Sequence, residues 1–80
     1  MNKERLIGRW NWFQRIMTYP DPSWDKETRM DFYFRFMEFV DTVESCGYRF
    51  VRHAEKRGDK YLLVATDLIQ NDSEEDVNDY

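Results

Sequence analysis

Phe39-Val40-Asp41-Thr42-Val43-Glu44-Ser45-Cys46-Gly47-Tyr48-Arg49-Phe50-Val51-Arg52-His53-Ala54 changes its hydrophobic period at Gly47. Upstream, Phe32, Phe36, Phe39 and Val43 recur at spacings of four, three and four, which places them on one face of an α-helix. Downstream, Tyr48, Phe50, Arg52 and Ala54 alternate with Arg49, Val51 and His53, the two-residue period of a β-strand. Glycine adopts the left-handed backbone without a Cβ clash, so Gly47 is read as the cap that ends the helix.

Working back from that junction, residues 24–46 read as one long helix, about 33 Å at 1.5 Å per residue. A second apolar stripe, Met30, Tyr33, Met37, Val40 and Val43, lies beside the phenylalanine stripe. Together they exceed half the circumference. Such a helix is packed on two sides or exposes a sticky face. Its polar remainder is Asp31, Arg35, Glu38, Asp41 and Glu44. Tyr19-Pro20-Asp21-Pro22-Ser23 is a break, because two prolines so close cannot continue a helix. Asp21 as N-cap with Pro22 in the first helical position is a start signal, and Ser23 is a second possible cap. Residues 3–18 read as an earlier helix. Leu6, Trp10, Phe13 and Met17 form its stripe, widened by Ile7 and Ile16, and Trp12 points away from it.

Working forward, residues 48–69 read as a β-hairpin. Strands over 48–54 and 61–66 flank a turn at Lys56-Arg57-Gly58-Asp59, where Gly58 supplies the positive φ. A lone hairpin is marginal in water, so the helices must cover one of its faces. The fold class is therefore α+β, two helices packed on a two-stranded antiparallel hairpin in the order ααββ. Residues 1–70 form one domain. Residues 71–80 carry Asp72, Glu74, Glu75, Asp76 and Asp79 with no lysine or arginine, and are expected to be a disordered acidic tail.

Size and composition narrow the function. Eighty residues bury little surface, and one cysteine, Cys46, with one histidine, His53, offers neither a disulfide nor a Cys/His metal staple. Stability must come from six Phe, five Tyr and three Trp. The lone thiol, the charged amino-terminal sequence and the absence of a long apolar run suggest the cytoplasm, that of a host if the protein is viral. The net charge of −4 resides in the tail, since residues 1–70 hold all twelve basic residues against eleven acids.

Catalytic readings are weak. Cys46 and His53 could form a nucleophile–base pair, but a buried thiol and a strand histidine is the favoured reading. Glu38, Asp41 and Glu44 could do acid–base work, but a solvated helix face explains them. No phosphate loop, zinc-protease helix or calcium loop is present, and turn chemistry accounts for Arg57-Gly58-Asp59. The chain is expected to be no enzyme and to need no cofactor or metal.

Three surfaces remain for binding. Trp12 and Trp24 exceed the needs of a small core and are residue types that dominate binding hot spots. Glu38, Asp41 and Glu44, with the tail, could imitate the phosphates of a duplex and occupy a basic or nucleic-acid-binding surface of another protein. Arg49, Arg52, Arg57 and Lys60 on the hairpin could bind nucleic acid directly, the less favoured alternative given the acidic balance. The expectation is a protein-binding inhibitor or modulator. In size and composition, though in no motif, it is in the style of phage-encoded and mobile-element-encoded inhibitors, anti-CRISPR proteins among them. A homo-oligomeric structural protein, dimerising through the broad apolar face of the long helix, is the third reading. No membrane partner is expected.

Overall fold

The computed structural model describes residues 2–70. Two helices, α1 (Lys3–Thr18) and α2 (Lys26–Ser45), precede two antiparallel strands, β1 (Tyr48–Arg57) and β2 (Lys60–Gln70). The chain is thus α+β in the order ααββ. The acidic stretch 71–80, expected to be disordered, lies outside the described residues.

Each helix begins on a side chain that satisfies an otherwise orphaned amide. Asn2 Oδ1 accepts from the Arg5 N–H at 3.0 Å. The start of α2 differs from the expectation at Asp21 and Pro22. Asp21 instead closes a turn: its Oδ1 accepts from the Ser23 N–H at 2.9 Å and from the Ser23 hydroxyl at 2.8 Å. The working cap is Asp25, extended at φ −84° and ψ −178°, whose Oδ1 accepts from the Thr28 N–H at 2.8 Å. Trp24 therefore sits in the turn and not in the helix. At the other end α2 stops where the period changes, with Cys46 as cap and Gly47 at φ +90°.

The strands run longer than their apolar cores. Arg57 pairs directly with Lys60, so the turn is only Gly58-Asp59 and not the four residues expected. Gly58 has φ +65° and Asp59 is not left-handed, the sign pattern of a tight hairpin turn whose twist matches its strands. Such a turn needs no residues beyond its two centres, so Glu55, Lys56 and Arg57 stay in the ladder. Val51 pairs with Asp67 but Arg52 pairs with Ala65, leaving Thr66 as a bulge on β2. The extra residue puts Ala65 and Leu68, three apart in sequence, on the face that carries Phe50.

That face and both helices make the core. Trp10, Val43, Phe50, Ala65 and Leu68 are buried together, with Phe36, Phe39 and Val40 of α2 packed against them. The Trp10 ring centroid lies 4.9 Å from Phe36 and 4.7 Å from Phe50.

The helices do more than cover one sheet face. α1 lies along the outer edge of β2. Asn11 Nδ2 donates to the Ala65 carbonyl at 3.1 Å, and the Ala65 N–H donates to Asn11 Oδ1 at 2.8 Å. Trp10 Nε1 donates to the Leu63 carbonyl at 2.8 Å, and the Leu63 N–H donates to Gln14 Oε1 at 3.3 Å. Three side chains of a helix thus complete hydrogen bonds that a third strand would make. Straddling the edge also explains why Leu62 and Ala65, on opposite faces of β2, are both buried.

Four exposed carboxyls are held below the usual carboxylate range by these local structures. The causes are the Ser23 amide for Asp21, the Thr28 amide for Asp25, Arg57 for Glu55, and the Lys3 ammonium followed by the Leu68 amide for Asp67. A depressed pKa contributes stability above the unfolded value and loses it as pH falls through the folded one. The melting temperature should therefore fall as pH drops below about 4, and Asp25→Asn, which keeps a capping oxygen without the charge, should blunt that fall. A melting temperature unchanged from neutral pH to the acid limb would contradict this assignment.

Candidate protein-binding surface

Phe32 is the centre of a surface that both helices and the connecting turn build. α1 contributes Trp12, whose ring lies 5.0 Å from Phe13 and 6.3 Å from Phe32. From the other side Trp24 stacks on Phe32 at 4.6 Å with the planes 17° apart. The Asp21 turn holds Trp24 there: the Trp24 N–H donates to the Asp21 carbonyl at 3.0 Å, and Arg29 Nη1 donates to the Trp24 carbonyl at 3.4 Å. The two tryptophans singled out in the sequence thus meet on one phenylalanine.

Beside them lies an open depression of about 390 Å³ lined by Arg9, Trp12, Phe32, Arg35, Glu38 and Thr42, with Phe13 and Phe39 completing it. Arg9 is poised over the Phe13 ring at 5.7 Å and the Phe39 ring at 5.6 Å. Arg35 lies 5.9 Å from the Phe32 centroid, and its Nε pairs with Asp31 at 2.8 Å. Guanidinium groups spread over ring faces keep charge at the rim of an apolar floor. Trp12 stands 42% exposed over this floor.

The three carboxylates singled out with the tryptophans are not gathered there. A spacing of three falls short of a full turn, so Glu38, Asp41 and Glu44 wind about 120° around α2. Glu38 borders the Trp12 depression, whereas Asp41 borders a separate groove with Trp10, Tyr33 and Met37. Arg49, Arg52, Arg57 and Lys60 are likewise divided by the pleat, with Arg52 on the core face and the others opposite it. Arg52 lies 5.5 Å from the Trp10 ring centroid and donates to the Phe50 carbonyl at 3.3 Å. Arg57 Nη2 pairs with Glu55 at 2.9 Å, and Lys60 donates to the Thr18 carbonyl at 3.1 Å at the end of α1. Three of the four basic side chains are therefore employed within the fold.

Comparisons with family models, curated proteins and solved structures returned no match. The geometry alone carries the reading. Cys46 is exposed at the end of α2, and His53 lies five residues beyond Tyr48 on an extended strand, about 17 Å further along. His53 Nε2 instead faces Glu55 at 3.6 Å. Among the described residues no three His, Cys, Asp or Glu side chains converge as metal ligands, and no helix is long and apolar enough to cross a membrane.

Sequence reading missed several surface residues. Arg9 and Arg35 carry a findable signal, since each lies three residues from an aromatic on its own helix, Trp12 and Phe32. Phe34 belongs to neither apolar stripe of α2 and stands 56% exposed, beside exposed Met30, Tyr33 and Met37. Of the two stripes, the phenylalanines with Val43 turn inward and the methionines with Tyr33 turn outward.

Proposed function

We propose that this protein acts by stoichiometric binding of another protein, with no turnover, through the Trp12 surface. The observation that carries the reading is a large indole left 42% exposed over an apolar depression that two arginines rim. Tryptophan and arginine supply most hot-spot energy because they bury much area while retaining a polar handle. Phe13 and Phe32 pack edge-on against Trp12, and Trp24 stacks on Phe32, contacts that restrict the indole before binding and lower the ordering entropy lost. Glu38 sits at the rim, where charge guides approach and selectivity more than affinity. Asp41 and Glu44 fall outside this contact. A binder so small works by occupying a partner's surface, which makes an inhibitor or modulator the natural role.

The test is affinity capture from the source cell with three baits: the unaltered chain, Trp12→Ala, and Asp41→Lys/Glu44→Lys. A partner retained by the first and third baits and lost from the second is expected. Titration of that purified partner should then show a loss of about 30-fold or more for Trp12→Ala, the size of a hot spot of about 2 kcal/mol. Equal capture by all three baits would refute the surface assignment.

A further inference from the structure

The outward face of α2 carries an order that its apolar content alone does not require. Lys26, Met30, Tyr33, Phe34, Met37 and Asp41 follow one another at spacings of 4, 3, 1, 3 and 4. At about 100° per residue they lie within one stripe covering roughly a quarter to a third of the helix circumference. The spacing reads the same in both directions, and so does the chemistry: methionine matches methionine, aromatic matches aromatic, and the ends match as opposite charges. All six side chains are exposed.

Such an order suits an interface with two-fold symmetry, in which residue i of each copy meets residue j of the other, so that every pairing must be complementary. We propose that the partner of this face is a second copy of the same chain, packed α2 against α2 in antiparallel orientation. The symmetry axis passes between Tyr33 and Phe34. Met30 then faces Met37 of the second copy, the aromatic pair interdigitates across the axis, and Lys26 faces Asp41 at both ends. Burial of the apolar centre supplies the attraction. The two Lys–Asp pairs set the register and exclude the parallel arrangement, which would oppose Lys26 to Lys26 and Asp41 to Asp41.

Other occupants fit less well. The chain's own residues 71–80 are acidic and would meet Glu27, Asp31 and Asp41 on or beside this face. A basic partner would find Asp31 already paired with Arg35 and Lys26 at one end of the stripe. The proposed pairing lies on the side of α2 away from Phe32, Phe39 and Thr42, so each copy keeps its Trp12 surface free. Its failure would leave the proposal for that surface untouched. One helix from each copy buries less than the roughly 1,200–2,000 Å² of a typical stable interface, so the dimer is a concentration-dependent one.

The experiment is sedimentation of the full chain over a wide concentration range, with charge-reversed variants. Unaltered protein is expected to show a monomer–dimer equilibrium. Lys26→Asp and Asp41→Lys should each weaken it on the order of tenfold, because two attractive contacts become repulsive. Both substitutions suit their ends of the helix dipole, and circular dichroism should show both variants folded. An equimolar mixture of the two should recover association as a heterodimer, identifiable by native mass spectrometry. The double variant should associate with itself as the unaltered chain does. Monomer at every concentration would overturn the proposal, as would single variants that associate undiminished or a mixture that stays monomeric.

Discussion

Phe50→Ala is expected to remove a third or more of the stability of the folded state. Phe50 is the most buried side chain, 1% exposed, and the point where all four elements meet. Its ring lies 4.7 Å from Trp10 of α1 and 5.7 Å from Phe39 of α2, and its strand partner is Leu68 of β2. Removing a buried phenylalanine ring costs about 3–5 kcal/mol, the lost transfer energy plus the cavity it leaves. A domain of this size has roughly 4–10 kcal/mol in all. The cavity would leave Trp10, Phe39 and Leu68 without the ring they share, and no disulfide limits that loss. Urea titration followed by tryptophan fluorescence and far-ultraviolet circular dichroism should place the Phe50→Ala midpoint far below that of the unaltered protein. Phe50→Leu, which retains most of the volume, should keep a cooperative transition at a lower midpoint. A Phe50→Ala midpoint close to that of the unaltered protein would mean the core lies elsewhere.

Asn11→Ala should give the second-largest effect, through backbone groups and not through packing. Asn11 satisfies both the N–H and the carbonyl of Ala65, residues 54 apart in sequence. Alanine leaves both groups without partners on a partly buried strand edge, at about 1–3 kcal/mol for each. An opened edge also offers itself to other chains, so aggregation should rise with concentration. Hydrogen exchange separates this from general destabilisation. The Ala65 amide should lose protection more than the amides that bond between β1 and β2. Gln14→Ala, which frees only the Leu63 N–H, should have a smaller effect of the same kind. If Ala65 exchange were unaltered in Asn11→Ala, the edge would be protected by something other than α1.

The hairpin shows why some features were legible and others not. Gly47 and Gly58 announce their positions because only a residue without Cβ adopts positive φ freely, and that constraint is wholly local. The helical spacing of Phe36, Phe39 and Val43 is equally local, since a helix repeats over a few residues whatever it packs against. Asp21 and Asp25 show the limit of such signals. Both precede plausible helix starts, and the choice went to the one whose carboxylate could reach an amide three residues on once Asp21 had turned back to Ser23.

The surface follows the same division. Trp12 and Trp24 could be marked as excess aromatics from sequence, but their meeting on Phe32 depends on how the turn folds α2 back onto α1. Glu38 and Asp41 are neighbours on α2, yet they border different depressions, because the roughly 60° between them crosses from the Trp12 side of the helix to its Tyr33 side. The amino-acid order alone determined the elements, their succession and their caps at glycine, because these arise from backbone sterics and side-chain period within a few residues. Tertiary structure alone decided that α1 would act as the missing strand for β2, that Thr66 would bulge, and which stripe of α2 the fold itself would leave uncovered. Those outcomes depend on hydrogen-bonding groups and apolar faces finding partners across long stretches of chain.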